Sequence, residues 1–211
     1  MKQGIVGRTI AQRLAELGYT VIMGTRSVKE TLAREIDYGT GAFSFSTWRD
    51  RHQERIILHS IAEAASGDKI ICNCRKGLPW VAALECAGSA NLRAKIVVDI
   101  ANPLDFSRGA PPTLGPCNTD SPGELIQQTF PEARVVKTLN MMNGALMVNP
   151  ALLSGNHTVF VSCNDSSAKD TAKALLEAFG WKRKNIVDLG DINSARARSI
   201  CCRSGSDFTD C

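Results

Sequence analysis

Several absences narrow what this chain can be. No stretch approaches the ~18 or more consecutive apolar residues of a membrane span, and no cleavable export signal is read at the start. No membrane partner and a cytoplasmic location are therefore expected. The basic residues outnumber the acidic ones by only 25 to 21 and are scattered, so the basic stripe that nucleic acid requires is missing. The three histidines, His52, His59 and His157, lie far apart without a metal-ligand pattern. Eight cysteines in 211 residues do not read as a disulfide framework, because the chain is long and Cys72 and Cys74 fall on or beside an apolar strand segment. Cys72-x-Cys74 has no second pair or histidine cluster to make a zinc site. Reduced thiols and no metal are expected.

One local absence carries chemistry. Gly4-Ile5-Val6-Gly7 has the spacing of the last two glycines of a dinucleotide-binding turn. There one glycine lets backbone approach a pyrophosphate, and the next lets the following helix pack closely on its strand. That helix runs about Arg8 to Leu17 and stops at Gly18. The strand after it, Tyr19 to Met23, lacks the Asp or Glu that would hold a ribose 2′-hydroxyl at its tip. The chain instead reads Gly24-Thr25-Arg26-Ser27. A guanidinium flanked by hydroxyls suits a 2′-phosphate, so the site reads as NADP rather than NAD. A strand and first glycine ahead of Gly4 are also missing, with Lys2 standing where that glycine would fall.

With 44% apolar residues, the chain can bury a full core. Strand and helix segments alternate along it. Strands are expected near 56–59, 69–74, 96–100, 134–139, 157–163 and 185–189. Helices are expected near 28–34, 47–53, 61–66, 80–90, 122–130 and 167–179. This alternation predicts an α/β fold with a doubly wound, mostly parallel Rossmann-like sheet, lacking its first strand. Residues 1–197 are read as one NADP-binding domain and 198–211 as an irregular tail. Ligands of such sheets lie at the carboxyl ends of the strands. That rule selects the tips Gly24 to Ser27, Asn73 to Lys76, Ala101 to Asp105 and Asn140 to Asn143, and within them Thr25, Arg26, Ser27, Asn73, Cys74, Asn102, Pro103 and Asn140. Pro103 fixes its backbone, and its ring could pack on a flat cofactor. The long connection 101–120 is read either as a substrate lid or as a surface excursion.

Taken together, Gly-Ile-Val-Gly-Arg-Thr-Ile-Ala, Met-Gly-Thr-Arg, Val-Asp-Ile-Ala-Asn-Pro-Leu-Asp, Val-Val-Lys-Thr-Leu-Asn-Met-Met-Asn and Asp-Leu-Gly-Asp-Ile resemble the NADP oxidoreductases dependent on the deazaflavin coenzyme F420. The resemblance spans about Gly4 to Ala197. It implies NADP over the turn formed by Gln3, Gly4, Ile5, Val6 and Gly7, with its 2′-phosphate held by Thr25 and Arg26. It also implies a deazaflavin over the nicotinamide, near Asn102, Pro103 and Asn140. The implied reaction is direct hydride transfer between the two rings, which needs no catalytic acid, base or nucleophile. The family's first strand and its C-terminal apolar helix find no counterpart, and a displaced reading frame is the simplest reading of 198–211. An NADPH-binding sensor module and an inactive fragment stand as the alternatives. The expected partner is a small redox cofactor, with a homodimer left open.

Overall fold

The computed structural model describes residues 4–34, 44–52, 54–67, 69–75, 80–105, 107–109, 113–115 and 119–197. Gln3 and the tail 198–211 lie outside the described residues. Helix α1 (Ile5–Glu16) places Val6, Ile10 and Leu14 on one face against the core, the repeat of an amphipathic helix. It stops because Gly18 takes φ +93°, which lets the Gly18 and Tyr19 amides bond back to Ala15 and Leu14. Strand β1 (Val21–Thr25) follows, then α2 (Val28–Leu32). Helix α3 spans Phe45–Asp50, earlier than the sequence suggested, because the Ser44 hydroxyl caps it by accepting from the Thr47 amide at 3.1 Å. Strand β2 (Ile56–Ser60) pairs in parallel with β1, with Val21 opposite Ile56 and Thr25 opposite Ser60.

Helix α4 (Ile61–Gly67) leads to β3 (Ile70–Asn73). The single helix expected over 80–90 is two, α5 (Trp80–Glu85) and α6 (Ser89–Leu92), separated by Gly88 at φ +84°. Strand β4 (Ile96–Asp99) is buried throughout. Its successive side chains enter opposite layers. Ile96 and Val98 join the cluster with Ile10 and Leu176, while Val97 joins Leu84, Ile126 and Phe130. Burial on both faces explains why this strand reads as an unbroken apolar run ending in a charge.

The connection 101–120 has regular structure in its described part. It carries a short antiparallel pair, β5 (Leu104–Asp105) with β6 (Thr113–Leu114). Helix α7 (Pro122–Thr129) has Pro122 in its first turn and Ser121 as cap. Strand β7 (Arg134–Thr138) pairs in parallel with β4. Helix α8 (Gly144–Val148), unforeseen in the sequence, is capped by the Asn143 side chain. Strand β8 (Val159–Ser162) runs antiparallel to β7, because the chain between them stays at the tip of β7 instead of crossing back over the sheet. Helix α9 (Ser166–Ala178) does cross, and β9 (Ile186–Asp188) is parallel to β8.

The strands form two main sheets rather than one: β1-β2, and β3-β4-β7-β8-β9. Between β1 and β3 lies a cleft of about 1080 Å³, bordered by both strands, by Ile10 and Leu14 of α1 and by Ala64 of α4. The family resemblance assigns its first strand to this position. No described residue of this chain fills it.

Candidate functional site

Five backbone tips make up the candidate site, and those of α1, β1 and β3 line the cleft. The first is the start of α1. Gly4 caps it in extended conformation without a side-chain hydrogen bond, so the first-turn amides point outward from a helix dipole's positive end. Gly4 and Gly7 both line the cleft. A Cβ built on Gly7 would lie 3.7 Å from the Cys74 Cβ, an ordinary contact, so the glycine keeps α1 and β3 close without being forced sterically. Ile5 is exposed, whereas Val6 turns inward and packs against Gly144 at the start of α8. Arg8, one residue on, is buried with its guanidinium 5.2 Å from the Phe45 ring centre and 5.5 Å from that of Trp48.

The second tip follows β1. Thr25 is buried, and its hydroxyl meets that of Thr31 at 2.7 Å. The Ser27 hydroxyl caps α2 by accepting from the Glu30 amide at 3.2 Å. Arg26 is exposed. The Ser27 hydroxyl keeps its own proton to donate, and the exposed guanidinium is the charged group of this tip.

The remaining three tips, at the ends of β3, β4 and β7, form one polar network. Asp99 and Lys137 are fully buried and pair at 2.8 Å. Asn73, also buried, donates to the other Asp99 oxygen at 2.8 Å. The Lys137 ammonium donates in addition to the Ala101 carbonyl, while the Ala101 amide donates to Asp99 at 3.3 Å. This network fixes the backbone just before Asn102. Asn102 in turn donates from Nδ2 to the Asn140 carbonyl at 2.7 Å, and Asn140 donates to Asn102 Oδ1 at 3.1 Å. Pro103 is buried, and its carbonyl accepts from the Gly115 amide at 2.7 Å. Leu139 sits at φ +60°, a conformation that a bulky residue holds only under tertiary compulsion, and it turns the chain sharply at the tip of β7.

A second cavity of about 290 Å³ opens beside Asn140, with Met141, Met142, His157 and Trp181 among its walls. It adjoins the Asn102–Asn140 pair.

Cys74 borders the cleft with Cys72. Burial pushes the Cys72 thiol up to about 11, and burial, reinforced by Cys72 and Asp99, pushes Cys74 well above its ordinary value. Both are neutral thiols at physiological pH and have no thiolate nucleophile to offer. Among the described residues no group of three or more His, Cys, Asp or Glu is placed to hold a metal, and no helix is long and apolar enough to cross a membrane.

The structure thus gathers Gly4, Gly7 and Cys74 around one cleft, with Thr25 at its rim. It joins Asn73, Asn102 and Asn140 to the strand-end network. Asp99 and Lys137 belong to the same region and were not singled out from sequence, whereas Arg75 falls within the strand tip 73–76 that was. A charged residue inside each of two apolar strands, Val-Val-Asp and Val-Val-Lys, was the available signal. Two buried opposite charges on neighbouring strands must pair.

No protein-family model matches the chain. Among solved structures, a protein from Arthrobacter sp. FB24 assigned as an F420-dependent NADP reductase is 50% identical, superposes with a TM-score of 0.88, and covers 94% of this chain and 86% of its own. An imine reductase from Streptomyces aurantiacus shares the fold alone, at 14% identity and TM-score 0.62 over 95% of this chain and 57% of its own. Among curated proteins, the Metalloreductase STEAP3 of Rattus norvegicus is 28% identical over 207 residues, 92% of this chain. The chain spans about a third (35%) of that relative's length.

Proposed function

Since this chain belongs to the family of F420-dependent NADP reductases, we propose that it transfers a hydride between NADP(H) and a deazaflavin. The observation that carries this reading is the 50% identity to the Arthrobacter protein across nearly the whole chain. The site's own chemistry supports it. A glycine-lined, uncapped helix start offers amides to a pyrophosphate, and the exposed Arg26 beside it offers a cation to a 2′-phosphate.

The nicotinamide and deazaflavin rings supply the hydride chemistry. The protein's task is to hold two flat rings at reacting distance, roughly 3–3.5 Å between the exchanging carbons. Lys137 and Asp99 hold the Ala101 backbone from beneath. Asn102 and Asn140 tie the tips of β4 and β7 together, so neither moves without the other. Pro103, buried and rigid, limits the approach at this edge. The apolar cavity at Met141, Met142 and Trp181 is the proposed recess for the acceptor ring, where water is kept from the reacting carbons.

No ionisable group is assigned to proton transfer, which suits a direct hydride step. Purified protein mixed with NADPH and, in separate runs, deazaflavin, flavin or ferric chelate should lose NADPH absorbance in a single turnover with the deazaflavin. Activity with flavin or ferric chelate alone would keep the reductase class and reject the deazaflavin. Activity with none would leave an NADPH-binding module as the better account.

A further inference from the structure

Arg75 lies two residues beyond the end of β3 and lines the same cleft as Thr25, the last residue of β1. It is only half-buried, yet its Nε is fully shielded and has no hydrogen-bond partner among the described residues. Of the charges that bear on it, the Arg26 guanidinium weighs most. Burial, and after it the Arg26 charge, lower the Arg75 pKa from its ordinary value. Arg75 thus stands on the cleft wall at the tip of β3, Arg26 follows the cleft-lining Thr25 at the tip of β1, and neither has an ion pair with a described carboxylate. Like charges are held together in this way where an anion is to be received between them.

We propose that Arg75 is a specificity-determining residue for NADP, the second of two guanidiniums closing on the adenosine 2′-phosphate from across the cleft. The inference rests on the NADP reading above and extends it by a residue outside the β1 tip. A ribose 2′-phosphate carries about −1.5 to −2 charge near neutrality and offers three acceptor oxygens. Arg26 alone neutralises one charge. The Thr25 hydroxyl is paired with Thr31, and the Ser27 hydroxyl, which accepts in the α2 cap, can still donate but brings no charge. Arg75 supplies the second charge, and its planar fork can bond two phosphate oxygens at once. NADH, which lacks the phosphate, has nothing for this residue to grip.

The competing role for Arg75 is stacking on the adenine face, a contact that both nucleotides would share. Titration calorimetry of NADPH and NADH on the wild type, Arg75→Met and Arg75→Lys separates the two. Arg75→Met is expected to weaken NADPH at least tenfold while NADH changes less than twofold, with Arg75→Lys between. Equal weakening of both nucleotides, or no change in either, overturns the proposal. A wild type that binds the two nucleotides equally overturns the NADP reading itself, a separate outcome. A second measurement needs no variant: phenylglyoxal modification of the wild type, mapped by mass spectrometry. Adenosine 2′-monophosphate should shield Arg26 and Arg75 together, and adenosine 5′-monophosphate should shield neither. Shielding of Arg26 alone by the 2′-isomer would remove Arg75 from the phosphate site.

Discussion

At the scale of single residues, the two kinds of charge in this site behave differently. Arg26 is exposed, so its value lies in what it binds. Arg26→Ala should therefore leave stability nearly untouched and reduce the preference for NADPH over NADH by about tenfold, or about 1.4 kcal/mol. Calorimetry with the two nucleotides checks this, and an unchanged ratio would count against the β1 tip as the phosphate site. Lys137 is the opposite case. It is fully buried against Asp99, so its removal strands a carboxylate in the core. Lys137→Met should cost about 3–5 kcal/mol, and Asp99→Asn combined with Lys137→Met should recover much of the loss. Urea unfolding of the single and double variants decides it. A loss below about 1 kcal/mol would mean the pair is better solvated than its burial indicates.

At the scale of elements, the gap between β1 and β3 has a measurable consequence. In a parallel sheet, amides along one strand point alternately to its two neighbours. Strand β4 has partners along both edges and β7 along its β4 edge, with β8 joining at 137–138 and the Gln127 side chain accepting from the Val135 amide, whereas β1 and β3 each have one edge turned to the cleft. Hydrogen exchange should be slow throughout 96–99 and 134–138. Along 21–25 and 70–73, slow and fast amides should alternate. Uniformly slow exchange in β1 and β3 would show that the cleft closes in solution. Much at this scale was legible in the sequence, since β4 lies in a near-continuous apolar run and α9 has clear amphipathic spacing. The antiparallel course of β8 was not, because a strand's direction depends on which end of the sheet its connection leaves from. Helix α8 was missed because its five residues are too short to show a period, and only the Asn143 cap marks it.

At the scale of the molecule, α9 is tied to the far edge of the sheet by charge. Burial works to raise the Asp188 pKa, but hydrogen bonds from Lys169, the Gly190 amide and Lys173 outweigh it and bring the carboxyl down to about 2. A depressed carboxyl contributes stability that is complete above its unfolded value, roughly 3.9, and is lost as pH falls through the folded value. Wild type should melt higher than Asp188→Asn at pH 6, and the difference should vanish as pH drops from about 4 to about 2. A difference that persists at pH 2 would place the contribution in packing. The contact is half-exposed, so the effect is modest and shrinks with added salt.

The sequence by itself determined the fold class, the run of strands and helices, and the tips at which a ligand would lie. These follow from hydrophobic periodicity, from glycine and proline stops and from a general rule about sheet ends, all of which act locally. Tertiary structure alone decided that Thr25 faces Thr31, that Asn102 and Asn140 bond each other, and that Asp99 meets Lys137 on the next strand. It also brought Arg75 to the cleft that Thr25, the neighbour of Arg26, borders. Each of those pairings joins residues whose local sequences are indifferent to one another. Their distances are set by strand order and register, which the whole sheet fixes at once.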